Sequence, residues 1–181
     1  PVIKGLAQVD FQHVLAICDY IWPVSKLLTG LKFHSRISHA YALARLFNRI
    51  CLKSAHSIPQ LIIPIPLHKN RYLTRKYNQT IEISKHLSQV TTIPFSSRLI
   101  YRNKPTKQQT ELTAVERKKN LLNAFTLTSK GKEVLTQLEH VVLFDDVITT
   151  GTTVNTVYKL IHQLKPELRV DIWSICITLN H

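Results

Sequence analysis

Residues Val141 to Thr153 read Val-Val-Leu-Phe-Asp-Asp-Val-Ile-Thr-Thr-Gly-Thr-Thr, two adjacent carboxylates followed at once by a turn made almost wholly of hydroxyls. Asp145 and Asp146 are the candidate catalytic and metal-binding pair, because carboxylates suit ribose hydroxyls or a hydrated Mg2+. Thr149, Thr150, Gly151, Thr152 and Thr153 are candidate phosphate binders. Their hydroxyls donate, and Gly151 lets the backbone come close to an oxyanion. A helical pattern follows, so its free N–H groups and positive dipole end would face the same turn. A plainer arrangement, in which Thr152 or Thr153 only caps the helix, needs one such residue and not this density. Gly151 is followed by Thr152 and Thr153 and not by Lys-Ser/Thr, which excludes a Walker A loop.

These groups need a strand to carry the acids and a helix to open beneath the turn. Val141 to Phe144 is the buried strand, about Thr152 to Leu164 the helix, and Val170 to Leu179 the next strand. Strand, helix and strand in that order predict an α/β fold with a parallel sheet, which binds ligands at the carboxyl ends of its strands. Earlier in the chain, Leu61 to Leu67 reads as a buried strand ended by Pro64 and Pro66. Tyr20 to Leu28 holds a short helix after Pro23, and Gly30, Lys32 and His34 mark a turn or a short strand. Helical spacing is present over Ser38 to Leu52, Asn70 to Gln89 and Leu112 to Leu122, the last ended by Asn123-Ala124-Phe125. A strand is expected around Arg98 to Arg102 and a mobile loop over Asn103 to Gln109.

The chain has 181 residues, with 44% hydrophobic and 19% charged, ordinary values for one soluble globular domain. Its apolar runs are far too short for a membrane span. Cys18, Cys51 and Cys176 are widely spaced with no Cys-x-x-Cys pair, so buried free thiols of a cytoplasmic protein are expected and not a zinc ribbon. The net charge is +13, and fourteen Lys/Arg against three Glu lie between His68 and Lys132. Such a field attracts a polyanion, either a phosphorylated small molecule or a nucleic acid. Tyr72, Tyr77 and Tyr101 lie among Arg71, Arg75, Arg98 and Arg102, which suits base stacking or equally a helix core.

Three clusters carry a resemblance. The Val141 to Thr153 stretch is similar to the PRPP-binding motif of type I phosphoribosyltransferases. Pro64-Ile65-Pro66-Leu67-His68, the Arg71 to Gln79 segment ending Asn78-Gln79, and Arg102, Thr106, Gln109, Leu112, Arg117, Asn120 and Phe125 in that spacing look like the ComF/GntX family of phosphoribosyltransferase-like proteins. Lys76-Tyr77 stands where that family usually has Gly-Phe.

The resemblance implies a type I phosphoribosyltransferase fold, a mostly parallel central sheet flanked by helices with a small basic hood or flexible loop. It implies one domain over residues 1–181, without the Cys-rich zinc-binding N-terminal segment that the family often carries. PRPP or a related phosphosugar is the implied ligand, with Mg2+ held by Asp145 and Asp146. His68, Lys69 and Arg71 would bind pyrophosphate, while Arg75, Lys76, Arg102, Lys104, Lys107, Gln109 and Arg117 would contact nucleic acid or close as a loop. The implied role is cytoplasmic, in natural competence, handling incoming single-stranded DNA or partners such as a competence helicase or DNA-processing proteins. The alternative is an active Mg-dependent phosphoribosyltransferase with an unidentified nitrogen acceptor. Thr149 stands where purine-salvage members have an Asp proton acceptor, so the motif shows no general base.

Overall fold

The computed structural model describes residues 9–11, 13–52, 57–67, 72–73, 75–103 and 124–178. Their elements are β1 (Val14–Asp19), α1 (Val24–Phe33), α2 (Ser38–Phe47) with a π turn (Asn48–Leu52), β2 (Leu61–Pro64), α3 (Gln79–Thr91), β3 (Ile100–Arg102), β4 (Phe125–Leu127), α4 (Ser129–Gln137), β5 (His140–Ile148), α5 (Thr152–Leu164) and β6 (Arg169–Ile177). Four strands make one parallel sheet in the order β1-β6-β5-β2, and β3 and β4 form a separate antiparallel pair. Helices pack on both faces, the α/β arrangement the sequence predicts.

The period-two alternation of the central strands sorts their side chains between two cores. Ile62, Val142, Phe144 and Trp173 pack under α1, α2 and α3 with Leu28, Leu31, Phe47, Ile83 and Leu87. Ile63, Val141, Leu143 and Ile172 face the opposite way, against Val154, Val157 and Ile161 of α5 and the β3–β4 pair. Continuous apolar strands are what a parallel sheet covered on both faces requires.

Several expectations are corrected. The turn placed at Gly30, Lys32 and His34 is the last part of α1, which runs through Phe33. Gly30 sits inside it, and its missing side chain leaves room for the His39 ring, which a β carbon there would meet at 2.6 Å and whose Nδ1 hydrogen-bonds Leu27 O at 2.9 Å. The helix expected over Asn70 to Gln89 is interrupted: Tyr72, Leu73 and Arg75 are helical, Lys76 takes a φ of 63°, and α3 starts anew at Gln79, capped by Asn78, whose side chain accepts from Thr80 N–H. Phe125 opens β4 instead of ending a helix. β1 and α4 were not foreseen. The helix expected over Leu112 to Leu122, and the loop beyond Asn103, lie outside the described residues.

The thiols are free, with Cys176 buried and Cys18 and Cys51 half-buried. Cys18 and Cys176 are register partners on β1 and β6, their Sγ atoms 4.0 Å apart. No described helix is long and apolar enough to cross a membrane.

Candidate functional site

The strand carrying the acidic pair runs past both carboxylates to Ile148, but its neighbour stops short. β2 ends at Pro64 opposite Phe144, and the last bond between the two segments is Ile65 N–H to Phe144 O at 2.9 Å. Beyond that point Pro66 and Leu67 diverge, and a fork opens beside Asp145. Asn78 Nδ2 and Thr80 Oγ1 both donate to Ile65 O, at 3.1 and 2.9 Å, which pins the start of α3 to the other wall of the fork. The result is a cleft of about 420 Å3 lined by Tyr20, Lys32, Arg75, Gln79, Arg102, both aspartates, Thr149, Thr153 and Thr178 among others.

The two carboxylates do different work. Asp146 lies on the Val142–Phe144 face and is buried beneath α1 and α3. Lys32 Nζ sits 2.6 Å from its Oδ2, Gln79 Nε2 donates to the same oxygen at 3.2 Å, and Val147 N–H donates to Oδ1 at 3.0 Å. Asp145 is half-buried and accepts the Asp146 N–H at 2.8 Å. Burial, and next the adjacent Asp146 charge, push its carboxyl up to about 8, against a smaller opposing pull from Lys32. A proton, a cation or a hydroxyl donor would each relieve this site.

The threonine turn lies where the spacing predicts. Thr149 and Thr150 are exposed, Gly151 takes the left-handed φ of 75° at the N-cap of α5, and Thr152 N–H donates to Thr150 Oγ1 at a long 3.4 Å. Neither Thr152 nor Thr153 is therefore the cap. Thr150 Oγ1 and Thr152 Oγ1 are 2.8 Å apart, and Gly151 O accepts the helical Asn155 N–H at 2.9 Å. The first-turn amides of α5 face the turn, the arrangement that holds anions at helix starts.

Of the basic residues, Arg75 and Arg102 reach the cleft, Arg75 over the Phe33 ring at 5.1 Å and Arg102 over Phe125 at 5.2 Å. Lys76 is exposed and does not line the cleft. It has a φ of 63°, the left-handed conformation for which the family's glycine is suited. Tyr72 and Tyr101 are exposed, whereas Tyr77 donates its hydroxyl to Leu31 O and packs in the core. His68, Lys69, Arg71, Lys104, Lys107, Gln109 and Arg117 lie outside the described residues.

Two contributors were not foreseen as site residues. Lys32 comes from a segment read as a turn, and Gln79 was noted only as part of the Asn78-Gln79 pair. A Mg2+ ion fits on the terms usual for that ion, one or two carboxylates plus ligand phosphates. Asp145 is the carboxylate placed to share such an ion, since both oxygens of Asp146 are engaged. Among the described residues no group of three or more His, Cys, Asp or Glu could hold a metal by itself.

No family model matches the sequence. Over 170 residues the chain is 36% identical to Competence protein F of Haemophilus influenzae, spanning 92% of this chain and 73% of that protein. Over 173 residues it is 34% identical to DNA utilization protein YhgH of Escherichia coli strain K12 and 35% identical to that of Salmonella typhimurium, spanning 93% of this chain and 74% of each. Identity at this level, sustained along nearly the whole α/β domain, settles descent: the chain belongs to the ComF family.

Proposed function

We propose that this chain is a competence or DNA-utilization protein whose cleft binds PRPP or a related phosphosugar together with Mg2+. The observation that carries the reading is the convergence in one cleft of Asp145, Asp146 and the Thr149–Thr153 turn, with Arg75 and Arg102 on its walls. The turn and the α5 amides hold the 5′-phosphate. Asp145 accepts a ribose hydroxyl, directly or through the shared ion, and Lys32 keeps Asp146 fixed behind it. The Mg2+ supplies charge neutralisation for the diphosphate. Arg75 and Arg102 add positive charge on the walls of the cleft, where it suits the diphosphate. The printed names of the relatives support the role in DNA utilization.

The same rim suits a polyanion. Trp22, Phe33, Tyr72 and Tyr101 are exposed, as are Lys26, Lys76 and Arg98, and Arg75 lies over the Phe33 ring at 5.1 Å. Exposed rings together with cations are what single-strand binding uses. Incoming single-stranded DNA, or a helicase or processing protein that carries it, is the partner this surface fits.

Calorimetric titration of PRPP with Mg2+ tests the cleft. Binding is expected with the natural chain and a loss of at least roughly tenfold with Asp145→Asn or with Thr150→Val/Thr152→Val, one tenfold step being about 1.4 kcal/mol. No heat from the natural chain would sink the reading. For the rim, affinity for a single-stranded oligonucleotide should fall steeply with salt, while PRPP affinity falls less.

A further inference from the structure

Gln79 is about 3% exposed, yet its Oε1 has no hydrogen-bond partner. Its surroundings leave it little freedom. It is the first residue of α3, and its neighbours Asn78 and Thr80 are both fastened to Ile65 O. Its Nε2 donates to Asp146 Oδ2 at 3.2 Å, the oxygen that Lys32 holds at 2.6 Å. Turning the amide over would set Oε1 against a carboxylate, so the Asp146 bond fixes which end is the acceptor. That acceptor belongs to a residue lining the cleft beside Asp145 and within the same cavity as Thr149 and Thr153. A buried amide oxygen without a donor is unfavourable, and a ligand that brings a donor removes the penalty.

We propose that Gln79 is a specificity-determining residue of this cleft, its Oε1 accepting a hydrogen bond from a secondary hydroxyl of the pentose ring of a sugar phosphate. Lys32 acts through Asp146 as a positioning residue that keeps the amide turned the right way. The inference rests on the phosphosugar reading and deepens it. Gln79 and Asp145 put two acceptors on one cleft, which suits a ligand with more than one hydroxyl donor. The volume of about 420 Å3 accommodates a pentose phosphate. A site built to hydrogen-bond a hydroxyl rejects the analogue that lacks it, because the protein group is then left unpaired.

The test titrates the natural chain with ribose 5-phosphate, 2-deoxyribose 5-phosphate, 3-deoxyribose 5-phosphate and inorganic phosphate in one buffer. One of the two deoxy sugars is expected to bind roughly tenfold more weakly than ribose 5-phosphate, or worse. In Gln79→Met that gap should collapse to about twofold or less while inorganic phosphate binds as before. Gln79→Leu, with a thermal melt on both variants, guards against a folding defect in one of them. A gap that persists in both folded variants overturns the assignment, as does a natural chain that binds all three sugars equally. If the natural chain binds inorganic phosphate but no sugar phosphate, or neither, the phosphosugar reading falls and this inference with it.

Discussion

β5 has a carboxylate, a cation and a glutamine clustered at each end, and the glutamines differ. At the amino end Asp171 Oδ2 lies 2.9 Å from His140 Nε2 and 3.0 Å from Arg169 Nη2, with Arg169 Nε 3.2 Å from Oδ1. Gln60 Oε1 there accepts two backbone N–H groups, from Glu139 at 2.7 Å and His140 at 3.0 Å. At the carboxyl end Asp146 collects Lys32, Gln79 and the Val147 N–H, but Gln79 Oε1 accepts nothing. The first cluster satisfies its own glutamine oxygen and so reads as structural. The second stops one hydrogen bond short, beside a cleft and a half-buried acid whose charge is disfavoured by burial and by Asp146, and so reads as a receptor.

The sharpest way to break this contrast is to remove the central acid at each end. Asp146→Ala strands Lys32, and breaking a buried pair from one side costs about 3 kcal/mol, with phosphosugar binding lost as well. Urea unfolding gives the first quantity and calorimetry the second. Lys32→Met/Asp146→Leu should regain most of the stability and none of the binding. Asp171→Ala should cost less, about 1–2 kcal/mol, because the Arg169 side chain is 48% exposed and screened. It should leave sugar-phosphate affinity unchanged. Equal effects of the two acids on binding would dissolve the distinction.

A smaller effect comes from Asp145. Its folded pKa is raised above the ordinary value near ~4 of an unfolded Asp, so the folded state holds the proton more tightly. Stability is therefore greatest below the unfolded pKa and falls as pH rises through the folded value of about 8. Asp145→Asn lacks that loss. The variant should match the natural chain near pH 4 and exceed it increasingly toward pH 8, in melting temperature as in stability. Melts across pH measure it. A constant difference at every pH would mean that the carboxyl is not destabilised by folding.

The parts of the site local in sequence were legible, and those made by long-range contact were not. Val141 to Leu164 could be read directly, since an apolar strand, a Gly-broken turn and a helical period are adjacent in the chain. Lys32 was hidden by Gly30, which resembles a helix breaker but is a contact residue under the His39 ring. Gly131 lies within α4, which was not foreseen. A β carbon there would lie 2.2 Å from Leu99 O, so the glycine allows α4 to approach the backbone preceding β3. The orphaned oxygen of Gln79 depends on a bond to Asp146, 67 positions away, which no spacing rule encodes.

The smallest effect concerns Lys76, where the sequence departs from its family. The residue keeps the left-handed φ of 63° that a glycine takes freely, and its N–H bonds Tyr72 O at 2.6 Å. A side chain in that conformation costs about 1 kcal/mol, and glycine's greater freedom in the unfolded chain returns a similar amount. Lys76→Gly should thus change stability by no more than ~0.5 kcal/mol and leave phosphosugar binding untouched. What it removes is an exposed cation near Tyr72 and Arg75. If that rim meets single-stranded DNA, affinity should fall and the salt slope should shrink by about 1, the contribution of one phosphate contact. An unchanged slope with unchanged affinity would take Lys76 out of the nucleic-acid surface and leave its charge without a partner. A stability loss above about 1 kcal/mol would mean that the lysine side chain packs after all, and the family's glycine would then mark a different local fold.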